Sequence, residues 1–451
     1  MSAADSVEIP WHMRGNYGPV KDELTAFDLP VTGAIPPELD GLYVRNGSNP
    51  KGAATSHWFF GDGMLHGVRL EKGKAVWYRN RWVRTPKLEG GLDAMDPAVM
   101  MDRTASAANT HVIGHAGRIL ALEEGHLPFE VDAELGTLGC RDYDGRLTTA
   151  FTAHPKLCPE TGELHFFGYG PVPPYLTYHV LDAKGELVHS AEIEVPGPTM
   201  MHDFITTRDH AIFMDLPVVF DLEKALAGQV PIGWDESYGA RVGVLPRMGT
   251  NDDIRWFEVD PCYVFHPMNA YTDGDKVVCD VGRHAYMWRD SMDDFAPSYL
   301  HRWTFDLATG AVAEEQLDDV SHGFPRVDDR KVGLRNRYGW VVAERPGSSG
   351  IMDMNAAAVV TKYDLATGTS QSHDLGPHGH PAEFVFAEAH PGAGEDEGWA
   401  LGYVYDDRSD SSDLVILDAQ NPSAEAVARI HLPQRVPFGF HGSWIRAQDL
   451  P

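Results

Sequence analysis

A chain of 451 residues and 49.8 kDa is long enough for two or three ordinary domains or for one large closed architecture. Its hydrophobic share of 43% and aromatic share of 10% are those of a globular protein with a substantial core, which excludes a disordered or fibrous chain. Lys+Arg of 37 against Asp+Glu of 66 gives a formal charge of -29, a surface that repels phosphate backbones and so argues against nucleic acid as a partner.

From the N-terminus, Met1 to Lys21 shows no apolar stretch of signal-peptide type and carries Glu8, His12 and Arg14. No later apolar run approaches membrane-spanning length, so a cytoplasmic location is expected. Strands then follow almost throughout. Short alternating stretches such as Ala75-Val76-Trp77-Tyr78, Glu163-Leu164-His165-Phe166-Phe167 and Lys276-Val277-Val278-Cys279 are bounded by Gly, Asp and Pro clusters. With 45 glycines and 31 prolines there is little room for long helices, and the one clear helical candidate is Leu222 to Gly228. A polar segment from Gly392 to Gly398 reads as a loop. Cys140, Cys158, Cys262 and Cys279 have neither C-x-x-C nor zinc-ribbon spacing and read as free thiols.

A weak repeat is present. Thr304-Phe305-Asp306-Leu307-Ala308-Thr309-Gly310 recurs as Lys362-Tyr363-Asp364-Leu365-Ala366-Thr367-Gly368, with looser copies at Leu181-Asp182-Ala183-Lys184-Gly185 and Leu417-Asp418-Ala419. Each is a strand end followed by an Asp-led turn, three of them closed by Gly, which is hairpin chemistry. Hairpins recurring at blade-like intervals point to a β-propeller, with a β-sandwich as the alternative. No Pro/Gly-rich linker divides the sequence, so residues 1–451 read as a single domain.

Four histidines stand in four short non-helical settings: Ala153-His154-Pro155, Met201-His202-Asp203-Phe204, Phe265-His266-Pro267 and Phe440-His441-Gly442. Imidazole suits borderline transition metals, and ligands so far apart converge only where a fold gathers many segments on one axis. A ligating imidazole needs its other nitrogen oriented, commonly by a carboxylate. Glu124 and Glu383, each beside apolar strand residues, are the candidates. His111, His115, His378 and His380 have spacings that mimic a site but read as strand or loop residues.

These motifs resemble the carotenoid cleavage oxygenases, a family of iron dioxygenases that also includes stilbene- and phenylpropenoid-cleaving members. The resemblance is carried by Tyr43-Val44-Arg45-Asn46-Gly47-Ser48-Asn49-Pro50, Phe60-Gly61-Asp62-Gly63-Met64-Leu65-His66, Tyr78-Arg79-Asn80-Arg81-Trp82, Asn109-Thr110, the four histidine settings, and Arg435-Val436-Pro437-Phe438-Gly439-Phe440-His441-Gly442-Ser443-Trp444. It implies an all-β, seven-bladed propeller with a loop and short-helix cap over an axial metal. One Fe(2+) per chain would be held by His154, His202, His266 and His441, with no organic cofactor. It further implies that Thr110 crowds the open positions beside the metal and that Glu124 and Glu383 orient two of the histidines. A third glutamate normally precedes a Phe-Pro-Arg run, and here Gly323 stands in its place, in His322-Gly323-Phe324-Pro325-Arg326. Either a neighbour such as His322, a water or a shifted acid replaces it, or one ligand is less firmly oriented.

The implied reaction adds O2 across a conjugated C=C bond and breaks it to two carbonyls, with the electrons drawn from the alkene itself. The stilbene-cleaving branch carries a Tyr and a Lys that engage a phenol. The Lys position is Glu123 here, and no tyrosine lies between Arg84 and Asn109. That favours a carotenoid or apocarotenoid in an apolar tunnel, for which Trp58, Phe59, Phe60, Phe129 and Phe167 are candidate wall residues. The alternative is a hydroxylated phenylpropenoid or stilbene of vinylphenol type, with Glu123 accepting a proton from its 4-hydroxyphenyl group. At most peripheral membrane contact is expected, through Pro171 to Leu176 and Leu216 to Phe220. Readings of another class are a non-catalytic propeller that only binds, and a zinc hydrolase, although a hydrolase normally shows three protein ligands and a nearby base.

Overall fold

The computed structural model describes residues 9–52, 55–226, 229–345 and 358–451; Glu8 and the Ala227-Gly228 end of the expected helix lie outside the described residues. The Asp-led turns form as their chemistry dictates. Asp306 Oδ1 accepts from the N–H groups of Ala308 and Thr309 (3.0 and 2.8 Å), and Gly310 closes the turn at φ 84°. Asp364 and Asp182 accept likewise from Ala366 and Lys184 (3.1 and 2.9 Å), with Gly368 and Gly185 at φ 67° and 79°. Asp418 caps its turn through the N–H of Gln420 (2.9 Å) without a closing glycine.

Such hairpins build seven antiparallel sheets in chain order. The first joins Gly41–Ser48, Gly63–Glu71 and Lys74–Trp82 to Thr25–Ala26 on one edge and to the C-terminal strand Gly442–Arg446 on the other. Sheets two to six have four strands each and open with His111–His115, Lys156–Leu157, Ile205–Thr206, Tyr263–Asp273 and His322–Arg326. The seventh opens with Gly379–Pro381 and Val385–Glu388 and ends by borrowing Val31–Gly33 from the N-terminal part of the chain. A separate two-stranded hairpin, Val218–Phe220 with Ile232–Trp234, is inserted in the fourth sheet's segment.

The core lies between the sheets rather than at one centre. Leu42 of the first sheet packs with Val112 of the second, Leu120 with Phe166 of the third, and Tyr178 with Phe213 of the fourth. Val242 then meets Val277 of the fifth, Leu300 meets Val341 of the sixth, Val360 meets Val415 of the seventh, and Leu414 returns to Tyr43 of the first. Each sheet is covered on both faces, so a strand such as Gly41–Ser48 is buried along its whole length and loses the alternation of a half-exposed strand. Burial of each such side chain contributes about 1.5–3 kcal/mol. The ring is a closed, seven-bladed β-propeller, and segments from all seven sheets line a central channel of about 680 Å³.

Helix is scarce, as expected, but not confined to one place. The expected segment forms the helix Leu222–Leu226. Two further short helices, Pro86–Gly90 and Pro97–Met101, went unread although each has a clear start signal. Thr85 Oγ1 accepts from Leu88 N–H (3.2 Å) and Asp96 Oδ1 from Ala98 N–H (2.8 Å), each cap followed by Pro at the first helical position. All four cysteines are free, three of them buried.

Two histidines of the third sheet are sealed between its neighbours. His165 bonds Tyr178 Oη through Nδ1 (2.7 Å), and His179 sits between Ser190 Oγ and Thr149 Oγ1 (2.8 Å each). Burial pushes both imidazoles down to about 3. The unfolded chain therefore takes up protons below about pH 6.5 that the folded chain refuses until about pH 3, so stability is complete above pH 6.5 and falls as pH drops through that window. Each histidine steepens the fall by on the order of 1 kcal/mol per pH unit. Urea midpoints between pH 7 and 4.5 should show a shallower decline for the double variant His165→Asn, His179→Asn; an unchanged slope would refute the assignment.

Candidate metal centre

Propeller geometry brings the four histidines together from four sheets. His154 and His202 stand just ahead of the inner strands of the third and fourth sheets, His266 lies within that of the fifth, and His441 directly precedes the ring-closing strand Gly442–Arg446. One ring nitrogen from each lies within 4.8 Å of the other three. His202 Nε2 is 2.9 Å from His154 Nε2 and 3.2 Å from His266 Nε2. A metal–nitrogen bond of about 2.1 Å sets adjacent donors about 3 Å apart, so the cluster has the size of a single-ion site.

The tautomers explain why these rings need a cation. His202 Nδ1–H donates to Glu124 Oε2 and His441 Nδ1–H to Glu383 Oε1, each at 2.9 Å. Burial, reinforced by the neighbouring imidazoles, holds His154 and His266 well below the ordinary histidine range, so they are neutral. Lone pairs on Nε2 atoms thus face one another in a buried space, an arrangement that a bound cation turns from repulsive to attractive. The residues present fit a single metal ion.

Carboxylates hold the rings in unequal ways. Glu383 Oε2 also accepts from Gly442 N–H (2.9 Å) and Arg326 (3.1 Å). Burial alone would raise the Glu383 carboxyl, but Arg326 and His441 outweigh it and hold the group down to about 2. His154 Nδ1 faces Asp203 at 3.7 Å, and Asp203 is itself bonded by Lys156 Nζ (2.6 Å). Asp203, Lys156 and Arg326 were not singled out from the sequence, although Asp203 adjoins His202 and Arg326 closes the Phe-Pro-Arg run. Among the described residues none accepts a hydrogen bond from His266 Nδ1. His322 does not replace the expected carboxylate: it is fully buried and neither of its ring nitrogens has a partner.

The cluster separates the axial channel from a second cavity of about 170 Å³. Thr110 lines this cavity with its hydroxyl bonded to Asn109 Oδ1 (2.9 Å), while its carbonyl accepts from His441 N–H (3.0 Å). Trp58, Phe59 and Phe60 form one wall on a single 3₁₀ turn, fixed by Asn109 Nδ2 donating to the carbonyls of Phe59 and Gly61 (2.8 and 2.7 Å). Phe265, stacked on His202 with centroids 3.8 Å apart, and Trp288 were missed as wall residues. Phe129 and Phe167, expected at the wall, are instead spent on packing: Phe129 between the first and second sheets, Phe167 between the third and fourth.

Glu123 does face the cavity, beside Glu124, with its carboxylate accepting from Gly125 N–H (2.9 Å) and from His126 Nδ1. Burial raises this acid, yet the His126 charge and hydrogen bonds prevail and leave it below the ordinary carboxylate range. His126, which also meets Val99 O through Nε2 (3.2 Å), is correspondingly raised by Glu123 against the opposing effect of burial. His111, His115, His378 and His380 lie outside the cluster, in agreement with their reading as strand and loop residues.

Comparison with known proteins agrees with this geometry. The family model described as retinal pigment epithelial membrane protein matches residues 17–446. The carotenoid cleavage oxygenase of Mycobacterium tuberculosis is 40% identical over 96% of this chain and 97% of its own length. The carotenoid 9,10(9',10')-cleavage dioxygenase of Crocus sativus is 36% identical over 97% of this chain and 90% of its own. Among solved structures, the lignostilbene dioxygenase of Pseudomonas brassicacearum superposes with a TM-score of 0.90 at 29% identity, covering 98% of this chain and all of that one. Cobalt-substituted Synechocystis ACO gives 0.84 at 26% identity over 95% and 97%. A family match running nearly end to end, on a propeller whose axis carries four converging histidines, places this chain in the carotenoid cleavage oxygenase family.

Proposed function

We propose that this protein is a non-haem Fe(2+) dioxygenase that uses O2 to cleave a conjugated C=C bond of a carotenoid or apocarotenoid, giving aldehyde or ketone products. The observation that carries the reading is the four-histidine cluster opening onto an aromatic-walled cavity, in a chain 40% identical to a carotenoid cleavage oxygenase. His154, His202, His266 and His441 would hold the iron, Glu124 and Glu383 orient two of them, and Thr110 limits the space on the cavity side. When bound, Fe(2+) would supply the one-electron chemistry that lets O2 react with an electron-rich alkene. The protein's part is placement. Phe59, Phe60 and Phe265 offer an apolar chain a wall in the cavity that His202, His266 and His441 also line, which would keep water from the reacting bond.

A second substrate class has its own support. The cavity of about 170 Å³ is smaller than the roughly 300–1,000 Å³ of ordinary ligand pockets, a size suited to a single-ring alkene. Glu123 in its wall can accept a hydrogen bond from a phenol. This favours a hydroxylated phenylpropenoid or stilbene as the alternative. Peripheral contact with a membrane goes with the polyene reading and is supported by the exposure of Val172 (52%) in the first expected stretch, whereas Leu216 and Val218 of the second are buried in blade packing; no described helix is long and apolar enough to cross a membrane.

His266→Ala should abolish alkene-dependent O2 uptake and lower bound iron by metal analysis; full activity in that variant would end the iron reading. Glu383→Gln should weaken iron binding about 10–100-fold, because the amide oxygen can still accept from His441 Nδ1–H but no longer carries the charge that makes the ring a stronger ligand. It should also lower stability by about 1–3 kcal/mol, because Arg326 loses its buried carboxylate while keeping Asp329 (3.3 Å) and the Gly442 carbonyl (2.9 Å) as partners. Mass spectrometry of products from a mixed panel should show carbonyl fragments of an apocarotenoid aldehyde. Cleavage of a 4-hydroxyphenyl alkene with the apocarotenoid untouched would reverse the order of the two substrate classes.

A further inference from the structure

Gly323 is not glycine for any backbone reason. Its φ lies outside the left-handed region, it keeps its ladder partner Val342 just before the register shifts between Gly323 and Arg326, and a Cβ added there would meet nothing within 4 Å. Gly282 and Gly339, on neighbouring strands, would by contrast press a Cβ to 2.8 Å from Ser298 Oγ and 2.3 Å from Met268 Sδ. The space at Gly323 opens into the cavity that His266 also lines. His266 is the only half-buried member of the cluster, the other three being buried. Phe324, at φ 52°, turns its ring over His266, with centroids 5.9 Å apart, and covers another side of it.

The polar balance of this corner is one-sided. His266 presents its metal-facing nitrogen to the cluster, so its proton resides on Nδ1, with no acceptor among the described residues. His322 lines the same cavity, fully buried, with both ring nitrogens unbonded. Of the carboxylates that face a histidine of the cluster, Glu383 is offset by Arg326 and Asp203 by Lys156, which leaves Glu124. Glu344 lines the cavity on the adjacent strand but makes no ion pair with His266. An N–H donor beside an undercompensated cation is a place for an anion.

Resting on the metal-centre reading above, we propose that the space over Gly323 is a binding subsite for a small free carboxylate, of formate or acetate size. There it accepts from His266 Nδ1–H and does for His266 what Glu124 does for His202. The site is then completed by a diffusible anion rather than by the chain, and metal retention depends on carboxylate concentration.

Co(II) titration of the metal-free protein, followed by its visible absorption, tests this without turnover. Formate should tighten Co(II) binding to the unaltered protein several-fold. Gly323→Glu should bind Co(II) about 10–100-fold more tightly than the unaltered protein and no longer respond to formate. No formate effect on the unaltered protein, or an equal effect on Gly323→Glu, would overturn the subsite. So would a tenfold loss of Co(II) affinity in Glu344→Gln, since that carboxylate would then already serve His266. Failure of the unaltered protein to bind Co(II) at all would instead bring down the metal-centre reading, and the subsite with it.

Discussion

Four imidazoles held with ring nitrogens face to face are an unfavourable arrangement, and what keeps them there is the closure of the ring. The pairing of Gly442–Arg446 with Gly41–Ser48 joins the two ends of the chain in one sheet. His441 is the residue just before that strand, and its backbone N–H bonds the carbonyl of Thr110 in the second sheet's segment. Glu383, from the seventh sheet, receives both His441 Nδ1–H and Gly442 N–H. The contact that seals the propeller is therefore also the contact that sets one ligand. A closed ring whose sheets are packed on both faces has no soft direction along which the four rings can relax apart.

The fold was partly legible because its turns are local chemistry. An Asp that caps its own turn and a Gly at positive φ can be read from three or four residues, and Asp306, Asp364 and Asp182 behave as such residues should. The histidines were legible for a different reason: each sits in a short, rigid or apolar setting, and the family motifs fix which four of the 22 count. The failures share a cause. Phe167, in Phe166-Phe167-Gly168, has near neighbours like those of Phe60 in Phe59-Phe60-Gly61, and only the packing of one sheet on the next decides which aromatic, Phe129 included, faces a core and which a cavity. Pairings such as Lys156 with Asp203 or Arg326 with Glu383 join residues on different sheets, and no local pattern announces them. The helices at Pro86 and Pro97 were missed despite readable caps, because the scarcity of helix elsewhere outweighed a two-residue signal.

Around the axis each sheet supplies one residue to the centre or its surroundings. The first, third, fourth and fifth sheets supply the histidines, and the second and seventh supply Glu124 and Glu383. The sixth supplies Gly323, with Phe324 beside it in a left-handed conformation. A non-glycine residue at positive φ costs on the order of 1 kcal/mol or more and persists only where its surroundings impose it. Here it lays an aromatic face against His266. Packing thus does for His266 part of what hydrogen bonding does for His202 and His441, fixing the plane of the ring while leaving its outer nitrogen unanswered.

The same contrast between charge and packing governs the substrate cavity. Aromatic side chains form much of its wall, beside the acids Glu123, Glu124 and Glu344, and Glu123 is not free to act as a base. His126 holds it below the ordinary carboxylate range, so its affinity for a proton is far too low to remove one from a phenol, whose own value is near 10. What it can do is accept a hydrogen bond from a hydroxyl without taking the proton, which orients a ring but does not raise the electron density of the attached alkene as deprotonation would. An alkene that needs such activation is poorly served here, whereas one whose conjugation is already long enough to be electron-rich needs only the placement that the aromatic walls provide. That difference in what the substrate must bring with it is the physical reason to rank a polyene ahead of a phenol, despite the small size of the cavity.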